Sequence, residues 1–394
     1  MKIGLINSLY KPYKRGGAEV VFRRIVKELK KNGHDVFVIT ISGKKQKTDF
    51  FVTEMDDIKV YRFYPKNIFS FIEINSQPVW KRLIWHIIDT FNFHSYRQIR
   101  KILKQEKPGL VLSHNLKGLG YLTLRAVKSL KIKNIHTLHD VQLVNPSGLI
   151  IKGQEKQNIL FKIFANISRI ILNSPEVVIS PSKWLLDFYR DYGFFEKSRE
   201  VILPNPVIID LDEQQIIKKF DDKMVNYMIL GQLEEHKGIL FLLEVFAKFN
   251  KLNNCRLIVV GTGRLEKFLR EKYKNCDWIE FLGFVPQKDL GKTVFKRVHY
   301  TIIPSLCYEN SPSTIYDSFR YGTPVIAAEI GGIPELVQEG VNGYTFEAGN
   351  KISLLNKLNM SLHNLDNYQQ MSENAKIRAK DYDIKNYIYK ILNL

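Results

Sequence analysis

Residues 304–335 read PSLCYENSPSTIYDSFRYGTPVIAAEIGGIPE. Glu309 stands just before a stretch with helical spacing, and Asp317 lies eight residues on, inside it. Between them, Asn310, Ser311 and Ser313 fall where a helix start exposes unpaired backbone N–H groups. Gly322-Thr323-Pro324 ends that helix and feeds an apolar run at 324–327 that reads as a strand. Another apolar run, 300–303, precedes the block. Strand, loop, helix and strand in that order form the building unit of a parallel sheet. Carboxylates accept hydrogen bonds from hydroxyl pairs, as in ribose recognition. One acid at a helix start is explained as a dipole partner; two around one loop are less easily explained that way.

Working back from the block, runs 227–230, 256–260 and 278–282 predict three more strands, with helices over 239–249 and 264–273 between them. Two of the intervening loops fit an anionic ligand. Gly231-Gln232-Leu233-Glu234-Glu235-His236-Lys237-Gly238 follows a strand and opens a helix, so Lys237 lies near a helix N-terminus. Gly261-Thr262-Gly263-Arg264 repeats the arrangement one strand later. Ligands of open parallel sheets bind beyond the carboxyl ends of the strands, where both loops lie.

The first half repeats the rhythm. Strands are predicted at 2–6, 35–40, 59–63, 110–113, 134–138, 177–180 and 200–203. Between the first two, Val21, Phe22, Ile25, Val26 and Leu29 mark one face of a helix over 18–31. Gly16 and Gly17 open that helix and suit close backbone approach to a phosphate, although the pattern is not GxGxxG. His139, with Asp140, follows the strand at 134–138, and His114 follows another; a histidine there can touch a sugar hydroxyl or steady a developing charge. The rhythm breaks at Pro204-Asn205-Pro206 and a polar stretch at 210–223, which reads as a hinge. The expected architecture is α/β, with two Rossmann-like open parallel-sheet domains facing across a cleft. The first is 1–205 and the second 206–380. An amphipathic tail helix within 381–394 is expected to pack back on the first domain.

Composition narrows the class. Of 394 residues, 45% are hydrophobic and 25% charged, which excludes a disordered or fibrous chain. No apolar run approaches the ~18 residues of a membrane-spanning helix. The N-terminus reads as a strand rather than a signal peptide. Cys255, Cys276 and Cys307 have no CxxC spacing, so neither a disulfide framework nor a zinc ribbon is expected, and a reducing cytoplasm fits. Charge is unevenly spread. Residues 1–200 hold 35 Lys and Arg against 17 Asp and Glu, a net of +18; residues 201–394 hold 24 against 23, a net of +1. Such polarity points to an anionic partner for the first half.

These residues together resemble the family 4 retaining glycosyltransferases of the GT-B fold. The resemblance rests on Glu309, Asp317, Gly322-Thr323-Pro324-Val325 and Gly331-Gly332-Ile333-Pro334-Glu335. It extends, in order, over Gly16-Gly17-Ala18-Glu19, Thr137-Leu138-His139-Asp140, Ser180-Pro181-Ser182-Lys183, Lys237-Gly238 and Gly261-x-Gly263. It implies that Glu309 and the backbone at Asn310, Ser311 and Ser313 hold the transferred sugar and phosphates. Asp317 is implied to bind the nucleotide ribose. Lys237 and the backbone at Gly16 and Gly17 are implied to bind the diphosphate, and His139 to contact the sugar near its reacting carbon. Two positions depart from the pattern: Asp317 replaces the usual Glu, and Gln232 replaces the usual Arg. Arg264, beside Gly263, is the expected substitute for that lost charge.

The implied reaction moves a hexose-type sugar from a UDP- or GDP-sugar to a glycan acceptor in bacterial surface polysaccharide synthesis, with no cofactor. Helix N-termini and Lys237 address the charge of the leaving diphosphate, so no divalent metal is expected. The two Asp-x-Asp strings, Asp210-x-Asp212 and Asp381-x-Asp383, fall in the hinge and the tail. No carboxylate is placed as an evident nucleophile, which favours front-face attack by the acceptor. The first domain of such enzymes generally binds the acceptor. Here it holds the +18 charge and, at 79–91, aromatic residues mixed with Lys and Arg, a pattern of membrane interfaces. The expected partners are therefore a nucleotide sugar, a lipid-diphosphate-linked acceptor and an anionic membrane surface, with peripheral attachment to the inner face of the cell membrane. The plainer reading of 79–91 is a helix packed on its own core. Rival functions are a sugar-nucleotide-binding relative without activity, favoured by Gln232, and a basic nucleic-acid-binding protein, disfavoured by the lack of any nucleic-acid motif. A nicotinamide oxidoreductase is disfavoured by the glycine pattern.

Overall fold

The computed structural model describes residues 1–13, 15–45, 48–155, 158–209, 224–363 and 365–394. Asp210 and Asp212, and with them the polar stretch read as a hinge, lie outside the described residues. The chain forms two compact units. The first comprises Met1–Leu149, Lys156–Pro206 and Tyr387–Leu394; the second comprises Ile150–Glu155 and Val207–Asn386. Ile150–Glu155 thus belongs to the second unit, although the sequence places it in the first.

The first unit is built on strands β1 (Lys2–Ile6), β2 (Asp35–Ile41), β3 (Phe51–Met55), β4 (Ile58–Phe63), β5 (Leu110–Ser113), β6 (Lys133–Thr137), β7 (Val177–Ser180) and β8 (Arg199–Ile202). They form one sheet in the order β3-β4-β2-β1-β5-β6-β7-β8. Every pairing is parallel except β3 with β4. Helices α1 (Gly17–Lys31), α2 (Val79–Thr90), α3 (Phe93–Glu106), α4 (Thr123–Lys128), α5 (Ile159–Leu172) and α6 (Lys183–Asp191) connect them. β1, β2 and β5 are continuous apolar runs because both sheet faces are covered, and nearly all their residues are buried. The stripe Val21, Phe22, Ile25, Val26 and Leu29 of α1 is buried, as its spacing predicts.

The second unit carries β9 (Val225–Leu230), β10 (Cys255–Val260), β11 (Ile279–Gly283), β12 (Tyr300–Ile303), β13 (Val325–Glu329) and β14 (Gly343–Glu347). Its helices are α7 (Ile239–Asn250), α8 (Glu266–Lys272), α9 (Leu290–Thr293), α10 (Ser313–Arg320), α11 (Lys351–His363) and α12 (Leu365–Lys380). The sheet runs β11-β10-β9-β12-β13-β14, all parallel. In chain order this is the 3-2-1-4-5-6 arrangement of a Rossmann-like sheet, whose order reverses between β9 and β12. In the first unit the same reversal falls between β1 and β5. The last helix, α13 (Ile384–Leu392), carries the tail. From Tyr387 onward the tail belongs to the first unit, where Tyr387 hydrogen-bonds Thr137 and Arg199 donates to the Leu394 carbonyl at 3.0 Å.

One cluster ties the first unit's edge to its centre. The buried Glu106, at the end of α3, accepts from Lys2 of β1 at 2.8 Å and Lys59 of β4 at 2.6 Å, and also from the Tyr61 hydroxyl. Burial opposes ionisation of Glu106, but these three donors overcome it and hold its carboxyl at about 2. A depressed carboxyl stabilises the fold above the ordinary carboxylate range and loses that effect as pH falls through about 2. Glu106→Gln is therefore expected to cost about 2 kcal/mol at neutral pH, the partly exposed lysines limiting the figure. Urea titrations from neutral to strongly acid pH check this: the wild-type advantage should shrink steadily and vanish at the acid end.

Candidate functional site

The reversal of strand order sends the loops after β9 and β12 out side by side at the carboxyl edge of the second sheet, with the β10 loop next to them. The backbone locks the three loops together. Gly231 N donates to Val260 O at 3.0 Å, Leu233 N to Thr262 O at 3.0 Å, and Leu306 N to His236 O at 2.9 Å. Gly238 lies so close to the β12 loop that a Cβ there would sit 1.8 Å from the Pro304 carbonyl oxygen. Gly263 packs equally tightly beneath Leu233, with a Cβ position 2.5 Å from the Leu233 oxygen.

This locking brings two predicted residues into direct contact. Lys237 Nζ meets Glu309 Oε1 at 2.5 Å. The same oxygen accepts from Ser305 Oγ at 2.9 Å. The Glu309 side chain is 15% exposed and that of Lys237 29%. Burial works against both charges. The Lys237 ammonium and the Lys237 and Ser305 hydrogen bonds nevertheless hold the Glu309 carboxyl below its usual range, and the Glu309 charge holds the Lys237 ammonium above its own. Both groups are therefore charged at neutral pH. A strap from the first half of the chain backs this loop: Ile151 bridges Cys307 in antiparallel fashion, Lys152 N donates to Leu306 O at 2.9 Å, and Tyr308 N donates to Ile150 O at 2.8 Å.

Asp317 lies inside α10, 7% exposed. Its Oδ1 accepts from Gln287 Nε2 at 3.3 Å and lies 3.9 Å from Arg320. Ser313 starts α10 after Pro312, and no side chain caps this helix end. Asn310 is buried, and Ser311 hydrogen-bonds the Tyr316 hydroxyl. Gln232 is exposed. Arg264 precedes α8 rather than opening it, stands 87% exposed, and donates from Nε to Glu234 at 2.8 Å. The substitute cation is thus paired with an acid of the neighbouring loop.

In the first unit, His139 follows β6 and lies 2.9 Å, Nε2 to Nδ1, from His114, the rings stacked at 5.1 Å. Burial lowers His139 to about 4 and also holds His114 well below its ordinary range, so both imidazoles are neutral and one donates to the other. Gly16 caps α1 and Gly17 begins it. Glu19 reaches back: its Oε2 accepts from Gly16 N at 2.7 Å and Arg15 N at 3.1 Å, so the Gly16 amide is engaged within the protein. Sequence reasoning missed this engagement, along with Ser305, Gln287 and the strap. The capping spacing Gly16-x-x-Glu19 carried the first; the others depend on tertiary placement.

A family model described as "Glycosyl transferases group 1" matches residues 211–378, and one described as "Glycosyltransferase Family 4" matches residues 15–211. The chain belongs to glycosyltransferase family 4. Its relatives include a 42.6 kDa protein of the cps region of Klebsiella pneumoniae, 26% identical over 88% of this chain and 90% of the relative. The alpha-monoglucosyldiacylglycerol synthase of Streptococcus pneumoniae is 25% identical over 83% of this chain and 71% of that enzyme. The solved structure of Anabaena HepE in complex with UDP covers all of this chain and 99% of its own at 18% identity, with a TM-score of 0.69. This likeness and the two Rossmann-like sheets make the fold GT-B, and the family 4 chain is a glycosyltransferase.

The signature glycine pair of this family 4 glycosyltransferase has a local reason here. Gly332 N donates to the Glu309 carbonyl at 2.8 Å, and Gly331, at φ +64°, would place a Cβ 2.1 Å from that same oxygen. Gly340, at φ +71°, has nothing within 4 Å of its Cβ position. Gly340→Ala is thus expected to cost about 1 kcal/mol, the left-handed backbone penalty alone. Gly331→Ala adds displacement of the Glu309 loop, for a total of about 3 kcal/mol. Chemical denaturation of the two variants side by side isolates the difference.

Proposed function

We propose that the protein transfers a hexose-type sugar from a UDP- or GDP-sugar to a lipid-diphosphate-linked glycan acceptor, with retention of anomeric configuration and without a metal. The observation that carries this reading is the charged Lys237–Glu309 pair at the reversal point of the second sheet, beside the uncapped start of α10. Lys237 faces the diphosphate. Glu309, with the Asn310, Ser311 and Ser313 backbone, orients the sugar, and Asp317 takes the ribose hydroxyls. Gly17 at the start of α1, with Gly16 shaping its approach, serves the phosphates from the first unit, and the neutral His139 meets the sugar near the reacting carbon. UDP in the HepE structure and a glucosyl-lipid product in the name of the pneumococcal relative support the donor and acceptor classes.

The chemistry follows from charge. Cleaving the sugar–phosphate bond leaves negative charge on the diphosphate, and a cation aimed at that position is worth about 3 kcal/mol in the transition state. The acceptor hydroxyl attacks from the face the diphosphate leaves, forming the new glycosidic bond as the old one breaks, and the leaving phosphate takes its proton. Attachment is peripheral, at the inner face of a bacterial membrane; no helix among the described residues is long and apolar enough to cross one. A second reading, binding without turnover, draws on the same loops, because Gln232 is uncharged and Arg264 is held by Glu234.

The test is a thermal-shift screen of nucleoside diphosphates and their sugars. One UDP- or GDP-sugar should raise the melting temperature, and Asp317→Ala should abolish that rise. Lys237→Met should lower turnover by about a hundredfold, and circular dichroism at the assay temperature separates that loss from the stability lost when Glu309 is left without its partner. A binding shift with no turnover in the wild type selects the second reading. No shift with any sugar nucleotide removes both.

A further inference from the structure

Helix α2 is amphipathic in the reverse of the usual sense. Val79, Trp80, Leu83, Ile84 and Ile87, which share one face at helical spacing, are each between 43% and 63% exposed. Its inner face carries Arg82, Trp85, His86 and Asp89, of which Trp85 and Asp89 are buried. A second helix of the same unit, α5, exposes Ile159, Leu160, Ile163 and Ile170, each between 49% and 68%. Both helices pack on the turn at 116–121: Asp89 Oδ2 accepts from Gly118 N at 2.9 Å, and the Phe164 ring of α5 lies 6.4 Å from that of Tyr121. Soluble proteins rarely leave so large an apolar surface uncovered.

Behind α2 lies a cluster of buried charged groups with unpaired polar atoms. Lys117, from the same turn, donates to the Pro146 carbonyl at 2.6 Å and forms no salt bridge among the described residues. Its ammonium sits 5.9 Å from the centroid of Phe71, the ring over which the Arg15 guanidinium lies at 4.1 Å. Phe71 in turn stacks on Trp85 of α2. Arg82 Nε and Asp89 Oδ1 are buried without a hydrogen-bond partner. The surrounding charges are mixed. Burial, then the Arg15 and Arg82 charges, lower Lys117 to about 8 against the opposing pull of Asp140 and Asp89. Burial raises those two carboxyls to about 6 and about 7, and His86 is neutral. Unused N–H groups of Lys117 and Arg82 in a buried setting call for a ligand rich in acceptor oxygens. Phosphate is such a ligand.

We infer that this cluster seats a phosphate group of a bilayer-borne acceptor: Lys117 and Arg82 take the phosphate, while the outer faces of α2 and α5 rest in the lipid. The geometry is self-consistent. An interfacial helix sinks about 5–10 Å into the boundary of headgroups and acyl chains, which leaves its inner face at phosphate level. The inference rests on the lipid-linked acceptor proposed above, and adds where its phosphate binds.

The experiment is co-flotation of the full chain with phosphatidylcholine vesicles, with and without a small fraction of polyprenyl phosphate. Vesicles carrying the polyprenyl phosphate should bind about tenfold more tightly. Lys117→Met should lose that increment and Lys117→Arg should keep it, while Leu83→Ser with Ile87→Ser should weaken binding to both vesicle types. Circular dichroism checks folding, and Arg82→Gln serves if Lys117→Met does not fold. Equal binding to the two vesicle types, or an increment that survives both Lys117→Met and Arg82→Gln, overturns the inference. Protection by inorganic phosphate in solution without a vesicle increment overturns the lipid source. The sugar-nucleotide thermal shift, run on the same samples, reports the donor reading separately: its absence beside an intact vesicle increment removes that reading and leaves the phosphate seat standing.

Discussion

The contact between Lys237 and Glu309 is the constraint around which the second unit is organised. Two opposite charges at 2.5 Å, both mostly shielded from solvent, are stable only when each keeps its partner. The partners sit 72 residues apart in the chain. The strand order makes them neighbours: β9 and β12 lie side by side where the sheet reverses, so their loops leave the same edge together. The close backbone approaches at Gly238 and Gly331 then serve one end. They bring the β9 loop against Pro304 and the β13 loop against the Glu309 carbonyl, fixing both sides of the ion pair without side chains in between.

The first unit handles charge differently. Its three histidines near the β5 and β6 ends are held neutral by burial, so that region offers hydrogen bonds rather than fixed charge. Cations gather instead around Phe71, where Arg15 and Lys117 both approach the ring. Residues 1–200 carry an excess of +18. Part of it is drawn inward, at an electrostatic cost that a surface lysine would not incur.

The strands were legible wherever both faces are buried, because continuous apolar runs such as those of β1, β5, β7 and β12 leave little choice. β3 was not. Its residues alternate between half-buried and exposed, and it pairs only with β4, antiparallel at the sheet edge. β14 begins at a glycine and is only five residues long, which hides it in a turn-rich stretch. At the site, Glu309, Asp317 and Lys237 were legible because each stands in a compact local pattern. Ser305, Gln287 and the strap at Ile150–Glu155 were not, since their contacts span loops remote in sequence or carry no periodic signal. The mixture of aromatic and basic residues at 79–91 was visible, but not its orientation: Trp85 is 1% exposed and Trp80 is 60% exposed.

That orientation is the part a soluble-protein account leaves unexplained. Burying a large apolar side chain is worth about 1.5–3 kcal/mol, so a helix folding in water turns such residues inward. α2 does the opposite, presenting five of them outward while burying Asp89 Oδ1 and Arg82 Nε without hydrogen-bond partners. Each departure alone is a small loss of stability. Together they fall on opposite faces of one helix, and the arrangement inferred above answers both: a bilayer against the outer face, with an acceptor's phosphate at the inner one. A protein partner covering the stripe would account for the apolar side chains but not for the unpaired donors beneath them. A soluble anion would account for the donors but not for the stripe.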